Sequence, residues 1–298
     1  MLGTDDISLA VLPTTLPCSP TVALRSNIIL PRYCVTNKRI DRKNRVFECS
    51  CPERLYRGIR ATLSYAEELP PDRHPDDMPA QMLSDAPVLR VACFRHGESA
   101  ANAGDATHDP ASIPLTEKGQ QQALRISRRF ASPPDAVICS PFHRAQQTAA
   151  PTLSQFRLMP GETWPIQEFT YLAPARCAGT SAAQRRPLVE MYWDTSDPTF
   201  VDGPGAESFA AFIERVRTAL NRLAKLHCSS DLAVVMFGHG QFFQAMRWLI
   251  ETGAPIIDAD AMRAFRLIDQ RSPIHNGDGF VAAFDGRIWK LEQDTLMR

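Results

Sequence analysis

The chain has no excess of charge in either direction: 33 lysines and arginines stand against 33 aspartates and glutamates. A neutral molecule offers no general attraction to nucleic acid or to an anionic membrane surface, so neither is expected as a partner. No segment approaches the ~20 consecutive apolar residues of a membrane span. The start Met1-Leu2-Gly3-Thr4-Asp5-Asp6 lacks a basic stretch followed by an apolar one, so no secretory leader is expected. The eight cysteines show no ordered disulfide spacing, and Cys93 and Cys139 lie in apolar runs where free cysteine is ordinary. A reducing, cytoplasmic setting is the expectation. Cys49-Ser50-Cys51, with Cys34 and Cys18 upstream, matches no zinc-ligand spacing, so no metal or cofactor is expected. Internal repeats are also lacking. What remains is an ordinary globular composition, 44% hydrophobic and 22% charged, in 298 residues, ample for a sizeable core.

Composition divides the chain. Residues 1–87 are proline-rich and carry weak helical or strand periodicity. Within them, Arg32 to Arg60 holds nine basic residues against Asp41, Glu48 and Glu53. The stretch from Glu67 to Asp85 is rich in proline and acid and reads as a linker. The expectation is an N-terminal extension over 1–87, poorly ordered and solvated, followed by a catalytic domain over 88–298.

From Pro87 onward, strand and helix patterns alternate. Val88–Phe94, Asp135–Ser140 and Asp231–Gly238 are apolar runs that read as buried strands. Helices are expected over Thr116–Phe130, with Thr116 as N-cap, and over His143–Phe156, Ala206–Leu226 and Gln241–Glu251. In the third, Phe209, Phe212, Val216, Leu220 and Leu223 recur at helical spacing and mark a core-facing stripe. Residues 279–284 and 287–291 flank Asp285-Gly286 and read as a hairpin. Such alternation implies an α/β fold, with a mostly parallel central sheet and helices on both faces.

Ligands of open α/β sheets bind beyond the carboxyl ends of the strands. Three polar clusters fall there: Arg95-His96-Gly97 after the first strand, Ser140 to Ala145 after the second, Gly238-His239-Gly240 after the third. Together they deliver Arg95, His96, Arg144 and His239 to one sheet edge, a cationic pocket without a metal. Histidine can act as a nucleophile where the acceptor gives a labile nitrogen bond, and phosphoryl groups fit that requirement best.

The ordered motifs carry a resemblance. Arg-His-Gly-Glu-Ser-x-x-Asn at 95–102, Pro-Leu-Thr-x-x-Gly at 114–119 and Ser-Pro-x-x-Arg-Ala-x-x-Thr-Ala at 140–149 come first. Gln-Glu-Phe at 167–169, Gly-Ala-Glu-Ser-Phe at 205–209 and Phe-Gly-His-Gly at 237–240 follow. The pattern resembles the histidine phosphatase superfamily, the phosphoglycerate mutase-like proteins, over about 88–291. The resemblance implies a three-layer sandwich and a small phosphorylated substrate. It implies His96 as nucleophile, Arg95 and Arg144 as clamps on phosphoryl oxygens, His239 completing the anion pocket and Asn102 as a lesser phosphate contact. Glu168 stands where relatives carry the acid that protonates the leaving oxygen. Ser112 replaces an aspartate frequent in relatives.

Glu207 reads as either a second acid or a helix-terminal charge, and His143 as substrate-facing or exposed. Relatives that act as glycolytic mutases carry a Glu-Arg-x-Tyr-Gly segment after the acid, and insertions. Here Phe169-Thr170-Tyr171-Leu172-Ala173-Pro174 follows and the insertions are absent. Hydrolysis is therefore expected over phosphotransfer between two sites, with a mutase or a non-catalytic phospho-ligand module as alternatives. The wall between Tyr171 and Asp202 is expected to set specificity, through Arg176, Thr180, Arg185, Arg186 and Trp193.

Overall fold

A computed structural model describes residues 39–40, 46–47, 87–158, 161–227, 229–253 and 255–292. The chain divides into two units, Met1–Cys51 and Pro52–Arg298. In the first, β1 (Arg39–Ile40) pairs antiparallel with β2 (Val46–Phe47). The rest of the basic stretch, the linker over 67–85, and Cys18, Cys34, Cys49 and Cys51 lie outside the described residues.

The second unit is built on a six-stranded sheet. Its strands are β3 (Leu89–Arg95), β4 (Ala136–Cys139), β5 (Glu162–Thr163), β6 (Leu232–Gly238), β7 (Gly279–Phe284) and β8 (Trp289–Glu292), in the order β5-β4-β6-β3-β7-β8. The pairs β3–β6, β6–β4 and β4–β5 are parallel; β7 joins β3 antiparallel and turns back into β8 at Asp285-Gly286. The sheet is thus mostly parallel with an antiparallel hairpin on one edge.

The layers follow from the side-chain alternation of a strand. Leu89, Val91, Cys93, Val234 and Met236 face a core shared with α6 (Phe209–Ala224), α7 (Gly240–Thr252) and α8 (Ala259–Arg271). Ala92, Phe94, Val235 and Phe237 face the other core, with Ile126 of α2 (Glu117–Ser127) and Ala149 of α3 (His143–Phe156). All five residues of the expected stripe on α6 are buried. That helix begins three residues later than the expected 206, because Ser208 caps it by accepting from the Ala211 N–H. Thr116 caps α2 in the same way, accepting from Gly119.

Two short helices, α1 (Ala100–Ala103) and α4 (Pro174–Cys177), and α5 (Ala182–Thr195) complete the unit. The loop after β3 runs hard against the start of α2. A Cβ on Gly97 would stand 2.4 Å from the Gly119 carbonyl oxygen, and one on Gly119 would stand 2.0 Å from the Glu98 carbonyl oxygen. Only glycine at both positions lets the two backbones touch, which fixes the loop that holds His96. No helix of the described residues is long and apolar enough to cross a membrane.

Candidate active site

Register brings the cluster together. In the parallel ladders Phe94 and Cys139 both pair with Phe237, and Arg95 pairs with Gly238. His96, Ser140 and His239 are therefore the next residues out on three adjacent strands. The His96 N–H donates to the Gly238 carbonyl and the Ser140 N–H to the Phe237 carbonyl, each at 2.9 Å. The two imidazole rings sit edge to face, 5.1 Å between centroids.

Arg144, on the first turn of α3, binds both rings. Its Nε donates to His96 Nε2 at 3.0 Å, its Nη2 contacts His239 Nδ1 at 3.2 Å, and its Nη1 donates to the Pro110 carbonyl at 2.6 Å. These contacts assign the proton on each ring. The Gly97 carbonyl, 2.6 Å from His96 Nδ1, can only accept, so Nδ1 carries the hydrogen and Nε2 presents a lone pair. His239 accepts at Nδ1, so its Nε2–H donates to Ser140 Oγ at 2.8 Å. Burial, then Arg144, pushes His96 well below the ordinary imidazole range; Arg95 adds to this and the Gly97 bond opposes it. Burial and Arg144 do the same to His239. Both rings are neutral in the resting site. Arg144 itself is pushed down to about 10, chiefly by burial, and stays charged at neutral pH.

Arg95 turns back beneath α7. Its Nη1 donates to the Ile274 carbonyl at 2.7 Å, and its Nε is buried without a partner. A Cβ on Gly240 would stand 3.2 Å from that Nε, so the glycine leaves the guanidinium its path. Glu168 approaches from the loop after β5. Its Oε1 accepts from the backbone N–H groups of Phe169 and Gln241, both at 3.1 Å. Burial raises its pKa above the usual carboxylate value; Arg95 and Arg144 oppose this, and Asp269 adds to it. Phe169, next along, stacks on Phe212 of α6 at 4.3 Å, which pins the loop to the core.

Arg95, His96, Asn102, Arg144 and Glu168 line one cavity of about 360 Å³, and His239 lies buried behind it against Arg144. The strand ends pointed to Arg95, His96, Arg144 and His239 at this edge, the resemblance added Asn102 and Glu168, and the structure brings the six together. Asn102 closes α1: its Oδ1 accepts from the Ser99 N–H and Oγ and from Asn276 Nδ2. Its amide NH2 is therefore the end left for a ligand. A larger, more open groove of about 580 Å³ lies alongside and shares Pro110, Phe142, Thr170 and Pro174.

Other expectations resolve differently. Glu207 is held by Arg215, which also donates to the Pro165 and Gln167 carbonyls; the pair braces the loop carrying Glu168. His143 is exposed and is not among the residues lining the cavity. Of the expected specificity wall, Arg185 lines the cavity, anchored to the Thr180 carbonyl at 2.6 Å. Arg176 is paired with Asp202, Arg186 with Glu190, and Trp193 is buried in the aromatic core. Asn276 was missed. Its Nδ2 ties the His96 carbonyl to Asn102, but it sits in an irregular segment whose sequence carries no periodic signal.

The profile of the histidine phosphatase superfamily (branch 1) matches residues 91–269, which contain Arg95, His96, Asn102, Arg144, Glu168 and His239. The chain belongs to the histidine phosphatase superfamily. It is an enzyme of the phosphatase class. The adenosylcobalamin/α-ribazole phosphatase of Escherichia coli (strain K12) is 29% identical over 158 residues, 49% of this chain and 72% of that protein. Its counterpart in Salmonella typhimurium is 30% identical over the same length, with 49% and 73% covered. Among solved structures, the α-ribazole phosphatase from Shigella flexneri superposes with a TM-score of 0.52 at 24% identity, covering 68% of this chain and 94% of that one. Mycobacterial glucosyl-3-phosphoglycerate phosphatase gives 0.53 at 20% identity, covering 69% and 97%. The two structures share the histidine phosphatase fold described above.

Proposed function

We propose that this phosphatase is a metal-independent phosphomonoester hydrolase working through a phosphohistidine on His96. The single observation that carries the reading is the assigned lone pair on His96 Nε2, aimed at the guanidinium of Arg144. A phosphoryl group entering the pocket takes the place of that contact. Arg144 then swings its donors from the imidazoles to phosphoryl oxygens, and the buried, unpartnered Arg95 Nε supplies another. Nε2 attacks phosphorus as the bond to the leaving oxygen breaks, and Glu168 gives its proton to that oxygen. Water then attacks the phosphohistidine, Glu168 takes up the water's proton, and phosphate departs from a regenerated imidazole.

The raised pKa of Glu168 favours the protonated form that the first step needs, and the lowered pKa of His96 favours the neutral form that attacks. The cavity suits a small phosphomonoester, being near the lower end of the ~300–1,000 Å³ common for ligand sites. We hold residues 88–298 to be the catalytic domain and 1–87 an extension to it.

The test is p-nitrophenyl phosphate turnover by the whole chain and by His96→Ala, with and without EDTA. The reading requires almost complete loss in the variant with its circular dichroism unchanged, and no loss with chelator. Turnover retained by His96→Ala sinks it.

A further inference from the structure

Gln241 and Asp269 take no part in the steps above, yet they are tied to the residue that protonates the leaving group. Gln241 follows Gly240 in the first turn of α7 and lines the cavity. Two bonds fix it: its backbone N–H donates to Glu168 Oε1 at 3.1 Å, and its side-chain Nε2 donates to Asp269 Oδ2 at 3.0 Å. Asp269 reaches in from α8, with Arg266 Nη1 at 3.4 Å from the same oxygen.

Asp269 Oδ2 also meets the Arg266 guanidinium, which only donates, so that oxygen is an acceptor and draws the NH2 end of the Gln241 amide. The NH2 faces α8. The carbonyl Oε1 is left without a partner among the described residues, on a side chain that lines the cavity. The pocket's other polar groups, the unpartnered Arg95 Nε, the Asn102 amide NH2 and the Arg144 guanidinium that turns from the imidazoles, are donors suited to an anion. A carbonyl acceptor would repel phosphoryl oxygens. The backbone N–H bond to Glu168 sets Gln241 beside the carboxyl that serves the leaving group, in the lining of the same cavity.

We propose that Gln241, held by Asp269, is a specificity-determining residue that accepts a hydrogen bond from a hydroxyl on the leaving group, close to the ester oxygen. The enzyme then favours phosphomonoesters of polyols over those of simple alcohols. Asp269 is a positioning residue that acts through Gln241. The proposal rests on the hydrolase reading of the same pocket.

The experiment compares kcat/KM for glycerol 3-phosphate and propyl phosphate, two esters of one chain length that differ in their hydroxyls. The expected preference for the glycerol ester is about tenfold, the effect of one buried hydrogen bond. Gln241→Met should bring that ratio close to one. Asp269→Asn frees the amide to turn over and should lower the ratio, chiefly through KM for the glycerol ester, while Asp269→Glu restores part of it. A merely structural loss would slow both esters alike and leave the ratio standing. A ratio near one in the unaltered enzyme, or one that survives Gln241→Met, overturns the proposal. Hydrolysis of neither ester would instead strike at the hydrolase reading itself.

Discussion

Replacing Arg144 with lysine keeps the charge and removes the fork. In the resting site the guanidinium uses three separate nitrogens, toward His96, His239 and the Pro110 carbonyl, while stacking 4.9 Å over the Phe142 ring. One ammonium on a flexible stem can replace one of those contacts, not three. In the transition state the same two losses fall on bonds to phosphoryl oxygens. Hydrogen bonds to charged groups contribute about 1.5–3 kcal/mol each, so two together amount to about 3–6 kcal/mol. That is about 10²–10⁴-fold in kcat/KM. The assay is p-nitrophenyl phosphate hydrolysis by Arg144→Lys, alongside its thermal melt. The reasoning fails if a folded Arg144→Lys protein loses less than about fivefold, for then charge alone would suffice and the fork geometry would be irrelevant.

The remaining expectations concern the acid, the pH and the brace. Glu168→Gln should slow alkyl phosphates by about 10²–10⁴-fold but nitrophenyl phosphate far less, because nitrophenolate leaves without a proton; equal losses on both would remove Glu168 from the acid role. In the unaltered enzyme, rising pH strips the proton from Glu168 through its raised pKa, so the alkaline limb of the kcat/KM profile lies above the ordinary 4.5 and should vanish in Glu168→Gln. His96 and His239 are neutral in the fold, with pKa values below 6.5, so the unfolded chain binds more protons as pH falls. The stability present above 6.5 is then lost as pH drops toward the folded values, and the urea midpoint should fall less steeply with acid in His96→Asn. Glu207→Gln loosens Arg215 from the loop carrying Glu168; a fall of about 1–3 kcal/mol in unfolding free energy, with kcat reduced more than KM is raised, is expected, and unchanged kcat would show that the loop holds without it.

Much of this was legible because each strand's apolar run ends where its chemistry begins. Phe94 to Arg95, Cys139 to Ser140 and Gly238 to His239 are sharp transitions, and the parallel register makes neighbours of residues 48 and 95 positions distant from Arg144. The hairpin of β7 and β8 was legible from Asp285-Gly286, whose glycine has φ 88°. Besides the one-turn α1 and α4, two longer helices escaped. In α5 the apolar residues gather on no single stripe, Pro187 lies inside it, and only Tyr192 and Trp193 are buried. In α8 the signals were present, an Asp258 cap and buried Ala261, Met262 and Phe265, but charged residues between them hid the stripe. With α8 unseen, Asp269 could not be connected to Gln241, a contact made across 28 positions by tertiary packing alone. Glu207 carried a motif but its partner, eight residues on, is a surface-patterned arginine until the fold turns it under the loop.

The bridge that Arg144 makes between two imidazoles has an effect on turnover beyond catalysis. An arriving phosphate does not meet a bare cation; it must displace nitrogen partners already in place, and it gains only the difference. When the reaction is over the same partners reclaim the guanidinium and help push the anion out. The expected consequence is weak inhibition by inorganic phosphate, which adding phosphate to the turnover assay would check.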